Sequence, residues 1–90
     1  MNISIIIVNY NVSDDLIKCI DSIYKYSKSK VTFEIIIIDN NSHDDSIKLI
    51  ESNYNQITLI KNNSNRGFSK AINQGAKIAT GEYLFLLNPD

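Results

Sequence analysis

FEIIIIDNNS (residues 33–42) is the stretch that decides how this chain is read. Phe33 to Ile38 is an apolar run interrupted only by Glu34, too short for a typical helix and rich in β-branched residues. Its lack of alternation predicts a strand buried on both faces. The chain then changes character in one step, because Asp39, Asn40, Asn41 and Ser42 are turn formers that carry carboxylate, amide and hydroxyl groups. The same change occurs at three other places. ISIIIV (3–8) runs into Asn9-Tyr10-Asn11, ITLI (57–60) into KNNSNRG (61–67), and YLFLL (83–87) into Asn88-Pro89-Asp90.

Three segments with helical spacing separate these runs. In the first, Leu16, Ile20, Ile23 and Tyr24 fall at i, i+4, i+7 and i+8, and Ser13 or Asp14 offers a cap. In the second, Ile47 and Ile50 follow Ser42, Asp44 and Asp45, which offer cap oxygens and negative charge for the first turn. The third carries a stripe of small and apolar residues, Phe68, Ala71, Ile72, Gly75, Ala76 and Ala79, with Gly81 as a stop. Gly75 costs about 1 kcal/mol against Ala inside a helix, which implies close approach to a sheet.

The element order β-α-β-α-β-α-β predicts an α/β fold, a Rossmann-like three-layer α/β/α half domain. Single-helix crossovers imply right-handed connections between about four parallel strands, in the order 3-2-1-4. Ligands bind such sheets beyond the C-terminal strand ends, at the crevice where the order reverses.

Composition bounds what this scaffold does. Ninety residues make one small domain, which buries only about 60–65% of its unfolded surface. A net charge of -1 leaves no electrostatic footprint for nucleic acid. No apolar run approaches the roughly 18 residues of a membrane span, and no charged segment precedes Ile3, so a cytoplasmic protein is expected. Cys19 is alone, which excludes an internal disulfide, and its apolar helical position predicts a buried core thiol. With one Cys and one His, a zinc site or a Cys-His nucleophile pair lacks its residues. His43 is therefore expected in a solvent-facing loop or first turn.

The four strand ends carry the chemistry. Each alone reads as a turn, but all four lie on the ligand-binding edge. Tyr10 can pack against a base, Asp39 can accept from a base imide N–H, and Asn41 and Asn73 can bond ribose or base. Arg66 can neutralise phosphate. Asp90 can hold a divalent cation that bridges a diphosphate. Other nucleotide folds fail on their motifs: residues 9–15 hold no glycine for a dinucleotide fingerprint, and the chain has no P-loop string. The Gly-rich, basic loop of a sugar-phosphate nucleotidyltransferase is missing as well.

SIIIVNYN, EIIIIDNNSHDDS and NRGFSKAINQGAKIATGEYLFLLNPD, in this order and spacing, resemble the N-terminal half of family 2 glycosyltransferases. The resemblance covers essentially the whole chain. It implies a GT-A fold, a nucleotide-diphosphate-sugar donor, and a role in cell-wall or polysaccharide biosynthesis. It implies a hexosyltransferase that transfers sugar to an acceptor hydroxyl by a metal-assisted, inverting displacement. The backbone around Val8 and Asn9, with Tyr10, would flank the base, and Asp39 would read it with Asn41 alongside. Asn65, Arg66, Gly67 and Asn73 would line the nucleoside and phosphate side. Asn88-Pro89-Asp90 falls where the family places its D-x-D element, which binds the diphosphate through Mg²⁺ or Mn²⁺. Asn88 replaces the first Asp, so Asp90 would be the principal metal ligand.

NPD at this place resembles the branch with many bacterial rhamnosyltransferase-like members, which implies a UDP- or dTDP-sugar. The resemblance also implies that residues 1–90 are the nucleotide-sugar-binding part of a glycosyltransferase domain. The acceptor-binding half and the general base would lie downstream, so these residues alone should be inactive. Strand 83–87 would then expose an apolar edge, which predicts self-association through it. The competing reading is a non-catalytic Rossmann-like module that binds a nucleotide or another protein.

Overall fold

A computed structural model of the protein describes residues 2–27 and 32–89. The chain forms β1 (Ile3–Asn9), α1 (Ser13–Tyr26), β2 (Phe33–Asp39), α2 (Ser46–Asn53), β3 (Thr58–Lys61), α3 (Phe68–Ile78) and β4 (Tyr83–Leu87). All pairings are parallel, and the strand order is β3-β2-β1-β4, as the sequence predicts.

The unbroken isoleucine runs are explained by two covered faces. Alternate residues of β1 and β2 point opposite ways. Ile5, Ile7, Ile35 and Ile37 meet Leu16 and Ile20 of α1 and Ile50 of α2. Ile6, Ile36 and Ile38 meet Ala71 of α3 on the other side. Two helices on one face and one on the other make the three layers. Cys19 does not reach the core predicted for it. It is half-buried and packs against the first cluster, where burial pushes its thiol up.

The small-residue stripe of α3 works largely as expected. A Cβ on Gly75 would lie 2.8 Å from Cγ2 of Ile6 and 2.9 Å from Cδ1 of Ile38, so the glycine lets the helix sit on β1 and β2. Phe68 departs from the stripe and is 58% exposed. Gly81 departs from its expected role too. Helix α3 stops at Ile78, with Ala79 already extended. A Cβ on Gly81 would come within 2.6 Å of the Ser4 backbone nitrogen, so this glycine serves contact with β1.

The predicted caps also differ. Neither α1 nor α2 has a side-chain cap from its own N-cap residue, Val12 or Asp45. Asp44 serves both helices: Oδ2 accepts from the Ser13 N–H at 3.1 Å, and Oδ1 accepts from the Ser46 N–H at 2.9 Å.

Strand β4 departs furthest from the reading of a strand buried on both faces. It pairs with β1 alone, and all five of its residues are exposed, from 36% at Leu87 to 66% at Tyr83. None of them joins either core cluster. The exposure therefore extends beyond the free edge to both faces of the strand.

Candidate functional site

The C-terminal ends of β1 and β2 are in register, with Asn9 beside Asp39. Both side chains are out of solvent, at 0% and 1% exposure. Nδ2 of Asn9 donates to Asp39 Oδ1 at 2.8 Å and to Ser42 Oγ at 3.2 Å. The Ser42 N–H donates to Asp39 Oδ2 at 2.8 Å. Each carboxylate oxygen of Asp39 thus accepts one bond from the protein. A flipped Asn9 amide would set oxygen against the carboxylate, so its orientation is fixed. Oδ1 of Asn9 then stays buried without a partner among the described residues. An unmet buried acceptor costs about 1–3 kcal/mol, and such an atom in a native site calls for a donor.

Asn11 and Asn41 lie in the left-handed region, with φ of 55° and 70°. Asparagine tolerates that conformation because its short amide bonds locally. Here the Asn11 N–H donates to Ser42 Oγ at 2.9 Å, and Asn11 Oδ1 accepts from the His43 N–H at 2.7 Å. The loops after β1 and β2 are thereby tied into one surface. His43 itself is exposed, as expected. Asp44 closes this surface, its carboxyl held below the usual range. Burial opposes that shift, and hydrogen bonds from Ser46 and Ser13 outweigh it. Tyr10, next to Asn9 in the chain, is 45% exposed. Residues 11–15 and Lys18 line an adjoining open cleft of about 380 Å³.

The third group gathers around Asn40, which is buried. Its Oδ1 accepts from Asn62 Nδ2 at 3.0 Å and from the Arg66 N–H at 3.4 Å, and its Nδ2 donates to the Gly67 carbonyl at 3.3 Å. Asn65 Oδ1 accepts from the Gly67 N–H at 2.9 Å. Gly67 has a φ of 82°, which favours glycine, although a Cβ there would meet nothing within 4 Å.

The predicted site residues therefore divide. Asn9 and Asp39 form the floor, with Tyr10 and the half-buried Asn41 beside them. Val8 is half-buried and packs against the core on the α3 side. Asn65 and Arg66 are exposed just before α3, Asn73 is exposed in its middle, and Asn88 is exposed after β4. Asp90 lies outside the described residues. Asn11, Asn40, Ser42 and Asn62 lie in the strand-end turns that the sequence singles out, but neither they nor Gln74 has a site role assigned from the sequence. Asn40 and Asn62 each directly follow a strand, which was a usable signal.

The described residues hold no group of three His, Cys, Asp or Glu able to bind a metal. Asn88 and Asp90 offer hard oxygen donors, the type that suits Mg²⁺ or Mn²⁺ when phosphate oxygens complete the shell. No helix of the described residues is long and apolar enough to cross a membrane.

The comparisons with known proteins agree with this arrangement. The glycosyl transferase family 2 model matches residues 4–90. No curated protein matches the sequence. Among solved structures, Staphylococcus aureus TarS 1-349 shares 26% identity at a TM-score of 0.88, over 100% of this chain and 28% of that one. TarS 1-349 in complex with UDP-GlcNAc shares 27% identity at a TM-score of 0.87, over 100% of this chain and 27% of that one. The mannosyltransferase PcManGT from Pyrobaculum calidifontis, in complex with GDP-Man and Mn²⁺, shares the fold at 23% identity. Its TM-score is 0.87, over 99% of this chain and 27% of that one. The chain thus spans little more than a quarter of the length of these structures. With a parallel GT-A sheet and a family match along nearly its whole length, the chain belongs to glycosyl transferase family 2.

Proposed function

We propose that residues 1–90 form the donor half of a glycosyltransferase site and bind a nucleoside-diphosphate sugar across the C-terminal ends of the sheet. The unpaired Oδ1 of Asn9, buried beside Asp39, carries this reading. It offers an acceptor next to a carboxylate at the end of β1, where the strand order reverses. A pyrimidine imide N–H is a donor of the matching kind. Asp39 is 1% exposed, so contact with a base requires the turn at Asn41–His43 to open. Each Asp39 oxygen keeps a lone pair for that contact.

In this reading Tyr10 stacks on the base, and Val8 and Asn41 flank the nucleoside. Asn65, Gly67 and Asn73 line its sugar and phosphate side. Arg66 supplies the positive charge for the diphosphate. Asn88 and Asp90 would hold Mg²⁺ or Mn²⁺, which neutralises charge on the leaving diphosphate when bound. The donor class is a UDP- or dTDP-sugar, consistent with UDP-GlcNAc bound to TarS and with a rhamnosyltransferase-like Asn88-Pro89-Asp90.

The reaction is transfer of a hexosyl group to an acceptor hydroxyl with inversion, assisted by a general base outside the residues assigned here. Residues 1–90 bind the donor and do not transfer sugar alone. Thermal-shift measurements with UDP-, dTDP- and GDP-sugars test the donor class. Stabilisation by the pyrimidine donors above GDP supports it, and no stabilisation by any donor refutes it. Sugar transfer by residues 1–90 alone would overturn the division of labour.

A further inference from the structure

Three carboxamides link the middle of α3 to the turn that precedes it. Gln74 and Asn62 face each other as a two-way amide pair. Gln74 Nε2 donates to Asn62 Oδ1 at 2.8 Å, and Asn62 Nδ2 donates to Gln74 Oε1 at 2.8 Å. The second Nδ2 hydrogen of Asn62 serves Asn40 Oδ1 at 3.0 Å. Asn40 in turn brackets the Arg66–Gly67 peptide, accepting from the Arg66 N–H and donating to the Gly67 carbonyl. That carbonyl also accepts from the Ala71 N–H at 3.3 Å, the first bond of α3. The hydrogen bonds and the helix therefore form a closed ring from Gln74 through β3 and β2 back to Gly67.

The ring fixes every amide orientation within it. Asn62 cannot flip without setting oxygen against Asn40 Oδ1 and Gln74 Oε1, and Asn40 cannot flip without losing both of its contacts to the turn. Asn40 and Asn62 are buried, at 3% and 8% exposure, so water does not readily replace a lost partner. The Arg66 side chain is exposed, and among the described residues its backbone N–H is held by Asn40.

From this geometry we infer that Gln74 and Asn62 are positioning residues that act through Asn40 to set Arg66 and the first turn of α3 against the diphosphate of the donor. The inference rests on the donor-site reading above. It separates two parts of the ligand. The base lies over Asn9 and Asp39, outside the ring, whereas the phosphates depend on the turn that the ring holds.

The test is an NMR titration of the protein and of Gln74→Met with uridine and with UDP plus Mg²⁺, alongside amide hydrogen exchange. Met keeps the length of Gln but leaves Asn62 Oδ1 unmet. We expect UDP to bind about tenfold more weakly, as for loss of one charge-assisted contact. Uridine affinity should stay unchanged, and the Arg66 and Gly67 amides should exchange faster. Equal loss for uridine and UDP would indicate a merely structural role and overturn the inference, as would unchanged UDP affinity. If the parent protein binds no UDP, the donor-site reading fails. Exchange still decides whether the ring holds the turn: faster exchange in the variant supports that hold, and unchanged exchange overturns it. If Gln74→Met does not fold, the parent protein provides the test. Cross-relaxation between the Asn62 and Gln74 side-chain amide protons supports the ring, and its absence overturns it.

Discussion

Nδ2 of Asn9 lies 2.8 Å from Oδ1 of Asp39, and neither side chain reaches solvent. The contact joins two central strands at the edge where the donor is proposed to bind. Replacing the amide by a carboxylate would set two buried acceptors against each other. Asn9→Asp should destabilise the fold by about 3–5 kcal/mol at pH 7, the cost of an uncompensated buried charge. Urea unfolding at pH 7 reads the effect, and equal stability of variant and parent would contradict the pairing.

The two close-packed glycines should respond differently to alanine. At Gly75 the added Cβ meets side-chain atoms of Ile6 and Ile38, and a gain of about 1 kcal/mol in helix propensity offsets the crowding. At Gly81 the Cβ would meet backbone atoms of Ile3 and Ser4, which cannot move aside without shifting β1. Gly81→Ala should therefore cost about 3 kcal/mol, and Gly75→Ala about 1 kcal/mol. Thermal unfolding of the two variants gives the order, and the reverse order would show that the α3–β4 connection yields.

Acid should loosen the N-terminal side of the sheet. Glu34 accepts from Ser4 Oγ at 2.6 Å, the Thr80 N–H at 2.6 Å and Thr80 Oγ1 at 2.9 Å. Burial raises its pKa, but these bonds outweigh that effect and hold it below the ordinary 4.5. A carboxyl depressed in the folded state contributes stability above its unfolded pKa, and loses it as pH falls through the folded one. Asp44, held below 3.8, behaves alike. Urea midpoints should fall below pH 4.5, and more gently for Glu34→Gln. An identical acid limb in that variant would remove Glu34 from the account.

Strand β4 presents apolar side chains on both faces and one free edge, the condition that favours pairing with another chain. Residues 1–90 should associate with rising concentration, and Phe85→Lys with Leu86→Lys should reduce it. Sedimentation velocity across a hundredfold concentration range measures this. A monomer throughout would contradict it.

The sheet was legible because Ile-rich runs of strand length alternate with helical spacings, and that order permits few topologies. Gly75 was legible for a related reason, since its cost within a helix needs a compensating contact. Asp39 and Asn9 could be placed at the site, but their engagement with each other and with Ser42 could not, because residues 30 or more positions apart meet only through register. The Gln74–Asn62 pair leaves no periodic trace at all. Asp44 was legible as a cap for α2, but its bond to Ser13 at the start of α1 was not, because the two lie 31 positions apart. Strand β4 misled because an apolar run predicts the tendency to be covered, whereas none of its residues joins either core cluster.

The central claim is that the C-terminal strand ends bind a nucleoside diphosphate. Titration calorimetry of UDP into the protein, with and without Mn²⁺, tests it most directly when repeated on Asp39→Ala and Asp90→Ala. The account predicts metal-dependent binding that both substitutions abolish. Binding that is indifferent to Mn²⁺ and to both substitutions, or no binding to the parent protein, would contradict it.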